Sequence, residues 1–174
     1  YYLRETITEF MKRNKDPNYR LVFLCPKHEM ILSDKKEHIP IRPDQLEKHL
    51  RKNRVAVVYP DIDFLDAEAD YVIDLLFAIE KENEGFSATL VIDDSQVFIE
   101  SRKSIRPSFR RLALTGRSYI ILFNLPFKQH WTDSIKRYGF DPQPYVEQLA
   151  STPYSHVWFD VTTTKASLYP PLEI

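Results

Sequence analysis

Thr89-Leu90-Val91-Ile92-Asp93-Asp94 is a short apolar run that ends in two adjacent carboxylates. An unbroken run of this length is the pattern of a strand buried on both faces, as in a parallel sheet. Acids at the carboxyl end of such a strand stand where open α/β sheets bind ligands. There Asp93 is suited to hold a hydrated Mg²⁺ and Asp94 to activate a water. Apolar strands ending in Asp also lead into plain polar loops, so the pair alone leaves both readings open.

Working outward, residues 20–25 and 55–59 read as further strands, and 119–123 as another that ends in Asn124. Residues 156–161 and 166–169 read as two closing strands, stopped by Pro170-Pro171. Leu3, Ile7, Phe10 and Met11 have helical spacing over 1–15, and Asp16-Pro17-Asn18 ends that helix. Pro43 suits the first turn of a helix over 43–53, with Leu46 and Leu50 on one face. Residues 67–81 crowd apolar positions onto a broad face, and 104–114, 128–138 and 142–150 carry helical patterns as well. Residues 26–54 are the loosest stretch, with room for an exposed loop. Alternation of strand and helix predicts an α/β fold: a mostly parallel sheet with helices on both faces, closed by a β-hairpin near the C-terminus. One domain over 1–174 is expected.

Composition narrows the function classes. The chain carries 24 basic and 25 acidic residues, so no global charge calls for nucleic acid or a membrane surface, and any such contact must be local. The single cysteine, Cys25, lies in an apolar run, which predicts a buried thiol in a reducing, cytoplasmic setting. No segment reaches the length of a membrane span. His28, His38, His49, His130 and His156 form no zinc motif, and Trp131 and Trp158 are expected to pack rather than stack on bases. The three glycines, Gly85, Gly116 and Gly139, lie too far apart to build a phosphate-cradling loop within these residues.

Other residues could carry chemistry. The amide of Asn124 would share the edge of the acid pair in a parallel sheet, able to sense a γ-phosphate or orient water; it is equally a turn-forming Asn. Gly116-Arg117 follows Arg110-Arg111, and a guanidinium there can act as an arginine finger or simply cap a helix. Arg102, Lys103, Arg106, Arg110, Arg111 and Arg117 put six positive charges into a short stretch. Such a cluster neutralises phosphates without reading sequence, or forms a solvated face.

Together, in order, these features resemble the HerA/FtsK superfamily of P-loop ATPases, and within it the genome-packaging ATPases of membrane-containing icosahedral viruses. The resemblance runs through 3–11 as the helix after the phosphate loop, 21–27, the Walker B-like 90–98, Gly116-Arg117, 122–124 and the closing strands of 157–171. It implies a RecA-like core in an oligomeric, ring-forming motor that uses ATP and Mg²⁺ to translocate double-stranded DNA, with viral capsid or membrane-vertex proteins as further partners and a cytoplasmic or virion-associated location. Asp93 matches the magnesium-site acid. Asp94 stands where the family usually has glutamate, and Asn124 where a glutamine sensor is common. Arg117 matches the Gly-Arg step, and Arg102, Lys103, Arg106, Arg110 and Arg111 would meet DNA. Tyr1 falls just after the place of the phosphate loop's Lys-Ser/Thr, so that loop and its strand are expected upstream.

Two other classes compete. A metal-dependent nuclease would use Asp61, Asp63, Asp93 and Glu100 with Lys103 near the metal, although two residues separate Glu100 from Lys103 where that family's pattern has one. A non-catalytic nucleotide-fold subunit would serve assembly, a reading favoured by the missing phosphate loop and by Asp94.

Overall fold

The computed structural model describes residues 9, 12–25, 40–92, 100–101, 104–105, 119–121, 132, 135–136, 139–152, 155–160 and 163–170. The chain divides into two compact units, Tyr1–Leu122 and Phe123–Ile174.

The first unit is built on β1 (Tyr19–Leu24), β2 (Pro40–Ile41), β3 (Val55–Val58) and β4 (Ser87–Ile92). Two short strands follow, β5 (Glu100–Ser101) and β6 (Ser104–Ile105), and then β7 (Tyr119–Ile121). Five strands form one sheet in the order β2-β3-β1-β4-β7, and every neighbouring pair in it is parallel. Within it Val22, Phe23 and Leu24 of β1 are fully buried, as are all four residues of β3, and Leu90, Val91 and Ile92 of β4 nearly so. Successive side chains of a strand point to opposite faces, so this unbroken burial means that both faces of the central strands are covered. The α/β class with a parallel sheet is therefore as expected.

Helix α1 (Leu46–Leu50) follows a 3-10 turn at Pro43–Gln45 and packs against β3 and α2 (Leu65–Glu82). The expected helix over 43–53 is thus shorter, because its first turn tightens and the chain turns at Arg51-Lys52 to enter β3. In α2, Leu65, Ala69, Val72, Ile73 and Leu76 form the buried stripe, and Ala67, Tyr71, Asp74 and Ala78 the exposed one. Gly85, at φ 87, turns the chain from α2 into β4, a conformation that favours glycine. Residues 26–54, expected to be loose, contain both α1 and β2; Pro40 opens β2 at the edge of the sheet, where a missing N–H does least harm.

One expectation is corrected here. Ser104 and Ile105 do not start a helix; they pair antiparallel with Ser101 and Glu100. Pro107 disfavours helical geometry at the residue before it, and a two-residue connection closes a hairpin instead. The expected helices over 1–15 and 128–138 are represented by helical positions at Glu9, Lys12 and Arg13, and at Thr132, Ile135 and Lys136. Residues 106–114 and 122–124 lie outside the described residues.

In the second unit α3 (Gln143–Ser151) precedes an antiparallel hairpin of β8 (His156–Asp160) and β9 (Lys165–Tyr169), which is the closing pair of strands expected. Ile135, Phe140 and Val146 form its core, with Leu149 and Ala166 packed against them. Ala166 pairs with Phe159, so the alternating position Trp158 lies on the other face, where it is 40% exposed. Trp158 is therefore only partly covered, since a two-stranded sheet has one face for its core and leaves the other more open. On that face the rings of His156 and Tyr169 stack, with centroids 5.3 Å apart.

Candidate functional site at the carboxyl edge of the sheet

Five parallel strands all end on one edge, and their order fixes where a crevice opens. The chain leaves β1 toward the β3 side and leaves β4 toward β7, while β1 and β4 are neighbours. Connections that diverge from adjacent strands in this way create the switch point at which open α/β sheets bind ligands. Leu24 and Ile92 are register partners at that point, and Ile92 pairs in turn with Ile121. Next after Ile92 in sequence is Asp93, and Asn124 comes three positions after Ile121. The two strands that lead into the acid pair and the amide thus run side by side and finish on the same edge. Tyr119, which opens β7 two residues after Arg117 in sequence, pairs with Leu90 in the middle of β4.

Asp93, Asp94, Arg117 and Asn124 themselves lie outside the described residues, as do Arg102, Lys103, Arg106, Arg110 and Arg111. Around the switch point the described residues Leu24, Cys25 and Ile92 are buried. Cys25 is buried, as expected, and its N–H donates to the carbonyl of Val58 at 3.0 Å. The N–H of Tyr59 donates to Ile41 at 3.0 Å, which carries the ladder one step past each strand end.

A charged cluster occupies the β2–β3 end of the same edge, and no spacing in the sequence marks it. Arg42, just after β2, donates from Nη2 to Oε1 of Glu68 at 2.6 Å and lies 4.0 Å from the Asp61 carboxylate. It also donates to the carbonyl of Tyr59 at 3.3 Å. Glu68, in the first turn of α2, accepts a further bond from the Asp61 N–H at 2.5 Å through its second oxygen. A carboxylate near a helix N-terminus is favourably placed in the helix dipole. One side chain thereby ties the exits of β2 and β3 to the start of α2. Asp61 accepts from the Asp63 N–H at 3.0 Å and so caps the 3-10 turn Ile62–Phe64.

Asp61 and Asp63, two acids of the nuclease reading, thus follow β3, and β1 lies between that strand and β4. Glu100 opens β5, opposite Ile105 in the small hairpin. No group of three or more His, Cys, Asp or Glu among the described residues is arranged to hold a metal ion. His49 has its Nε2 2.9 Å from the carbonyl of Val55 and serves the local backbone.

At the amino edge Arg20 donates to the carbonyls of Leu50 at 3.0 Å and Pro17 at 2.5 Å, with its guanidinium over the Phe86 ring. Burial, and then the nearby Arg54, lowers its pKa from the usual guanidinium range. Arg54 donates to Asn14 from β3's side. These two arginines fasten loops at the end of the sheet away from the switch point.

No protein family, curated protein or solved structure matches this chain. Among the described residues no helix is long and apolar enough to cross a membrane.

Proposed function

We propose that this chain is the core of an ATP-driven, Mg²⁺-dependent motor that translocates double-stranded DNA, of the HerA/FtsK type and in the form that packages viral genomes, working as a homo-oligomeric ring. The observation that carries the reading is the aligned ending of β1, β4 and β7 at a switch point, in the register Leu24, Ile92, Ile121. It gives an apolar acid-tipped strand a neighbour on each side and an amide-tipped one at its flank, as a triphosphate site of this kind needs.

In this reading Asp93 holds the cation's water shell and Asp94 takes a proton from the attacking water. Asp94 is one methylene shorter than the usual glutamate, so water must approach its backbone more closely. Asn124 orients that water. Arg117 is assigned to a neighbour's nucleotide, where its charge would offset the transition state. Arg102, Lys103, Arg106, Arg110 and Arg111 are the candidates for DNA phosphates. Bound magnesium and ATP supply the charge neutralisation and the phosphoryl group.

The test is ATP turnover with Mg²⁺ by protein carrying its native N-terminus, beside Asp93→Ala with its fold checked by circular dichroism. Turnover is expected and the variant is expected to lose it; equal turnover in both removes the assignment of Asp93. A second reading, a non-catalytic nucleotide-fold assembly subunit, draws on the lack of any glycine-rich phosphate loop within the 174 residues. Failure of the same protein to bind ATP at all would select it. Nicking of plasmid DNA with Mg²⁺ and no ATP would select the nuclease.

A further inference from the structure

β9 lies at an open edge. It pairs with β8 on one side, and among the described residues no strand and no backbone hydrogen bond occupies the other. Lys165, Ser167, Leu168 and Tyr169 are exposed, and Ala166 is half-buried. Leu168 is 40% and Tyr169 46% exposed, two large apolar side chains in succession on this unpaired strand. β8, by contrast, packs against α3. A two-stranded hairpin is marginal on its own, and a bare edge is a template for another strand. Proteins that keep such an edge single protect it with charge, proline or a bulge within the strand. β9 carries one lysine at its first position and meets Pro170 only after its last.

A second copy of β9 fits this edge. Side chains alternate between the two faces of a strand, so β9 pairs antiparallel with itself, core sides together, only where the two facing residue numbers add to an even sum. Of those registers, the one centred on Ser167 uses all five residues. Across it Ser167 meets Ser167 of the second copy on a two-fold axis, Lys165 meets Tyr169, and Ala166 meets Leu168. The strand's one charge thus faces an aromatic ring instead of its own counterpart. The small Ala166 leaves space for the Leu168 opposite, so both apolar side chains left open in one chain acquire a facing residue. We propose that β9 joins two copies of this chain by antiparallel pairing of Lys165–Tyr169, merging their hairpins into a four-stranded sheet in the order β8-β9-β9-β8. A sheet of that size holds together where an isolated hairpin does not. The contact is two-fold and closes after two copies, so it goes beyond the motor reading and does not depend on it; a ring needs a separate, head-to-tail contact.

Sedimentation velocity of the full chain without nucleotide or DNA, together with disulfide trapping, tests it. The parent is expected to dimerise. Ser167→Lys and Ser167→Glu each set like charges opposite one another at the two-fold axis, on a side chain exposed within one chain, and each should weaken dimerisation roughly tenfold or more. An equimolar mixture of the two should recover it, because opposite charges then face each other. Ser167→Cys should form an intermolecular disulfide under mild oxidation, since the Cβ atoms of facing residues lie about 4.5–5.5 Å apart. Lys165→Cys should not, because its counterpart lies four residues along the strand, about 13 Å away. Cys25 is buried and takes no part. A parent that stays monomeric at its highest soluble concentration overturns the inference. So does a mixture no better than either variant, or a Lys165→Cys cross-link as strong as that of Ser167→Cys. Dimers without ATP turnover keep this contact and fail the motor, whereas turnover with no Ser167→Cys cross-link does the reverse.

Discussion

Removal of the Glu68 carboxylate should loosen the carboxyl edge of the sheet by an amount that its two bonds set. Glu68 accepts from Arg42 at 2.6 Å and from the Asp61 N–H at 2.5 Å. The Arg42 side chain is 41% exposed and that of Glu68 23%, so solvent screens the ion pair and its share is about 1 kcal/mol rather than the larger figure of a buried pair. Leaving the Asp61 N–H without its acceptor costs about 1 kcal/mol more. Glu68→Ala is therefore expected to destabilise the first unit by about 2 kcal/mol. Glu68→Gln keeps an acceptor for Asp61 and removes the charge, so about 1 kcal/mol is expected. Urea unfolding followed by far-UV circular dichroism measures both. A double-mutant cycle with Arg42→Ala should give a coupling of about 1 kcal/mol that shrinks in high salt. A coupling indistinguishable from zero, or Glu68→Gln as costly as Glu68→Ala, would refute this division between ion pair and backbone bond.

Three further outcomes follow from the geometry. Phe23→Ala empties a fully buried position in the central strand and should cost about 3–5 kcal/mol in a chemical denaturation curve of the first unit. Thr164, a β-branched residue held at φ 54 at the tip of the hairpin, should be better replaced by Asn, with a gain of about 0.5–1 kcal/mol read from thermal unfolding of the second unit. The pKa of His156 is lowered by burial, so the unfolded chain takes up its proton first as pH falls. The second unit should lose stability as pH drops below the usual imidazole value of about 6.5 toward the lowered one, then show no further loss from this group, and His156→Phe should abolish that dependence. An NMR titration of the imidazole checks the direction.

Sequence and structure agree most closely where burial is local and continuous. β1, β3 and β4 are unbroken apolar runs because both of their faces are covered, and no alternative periodicity competes. β2 escapes such reading, since Pro40-Ile41 is two residues long and becomes a strand only through its pairing with Val57 and Val58. Ser104 and Ile105 mislead for a different reason: Ile105, Phe109 and Leu112 have helical spacing, yet Pro107 restricts the backbone just ahead of it. At the site, β4 itself is legible from its apolar run, and its register with β1 and β7 shows which edge it ends on. The Arg42–Glu68 tie is not legible, because 26 positions separate its partners and only the fold brings them together. The partial exposure of Trp158 is not legible either, because the sequence does not say which face of a two-stranded sheet is left open.

The register that puts β1 at the centre of the sheet also makes it wait. As the chain leaves the ribosome, Leu21-Val22-Phe23-Leu24 emerges before both of its neighbours, one flank being filled by residues 55–58 and the other only by 87–92. At about 5–20 residues per second the second flank stays bare for roughly 3–14 s, during which a sticky apolar ribbon is open to other nascent chains. Synthesis in vivo should accordingly depend on holdase chaperones, and a nascent chain stalled before β4 has cleared the exit tunnel should be the aggregation-prone species.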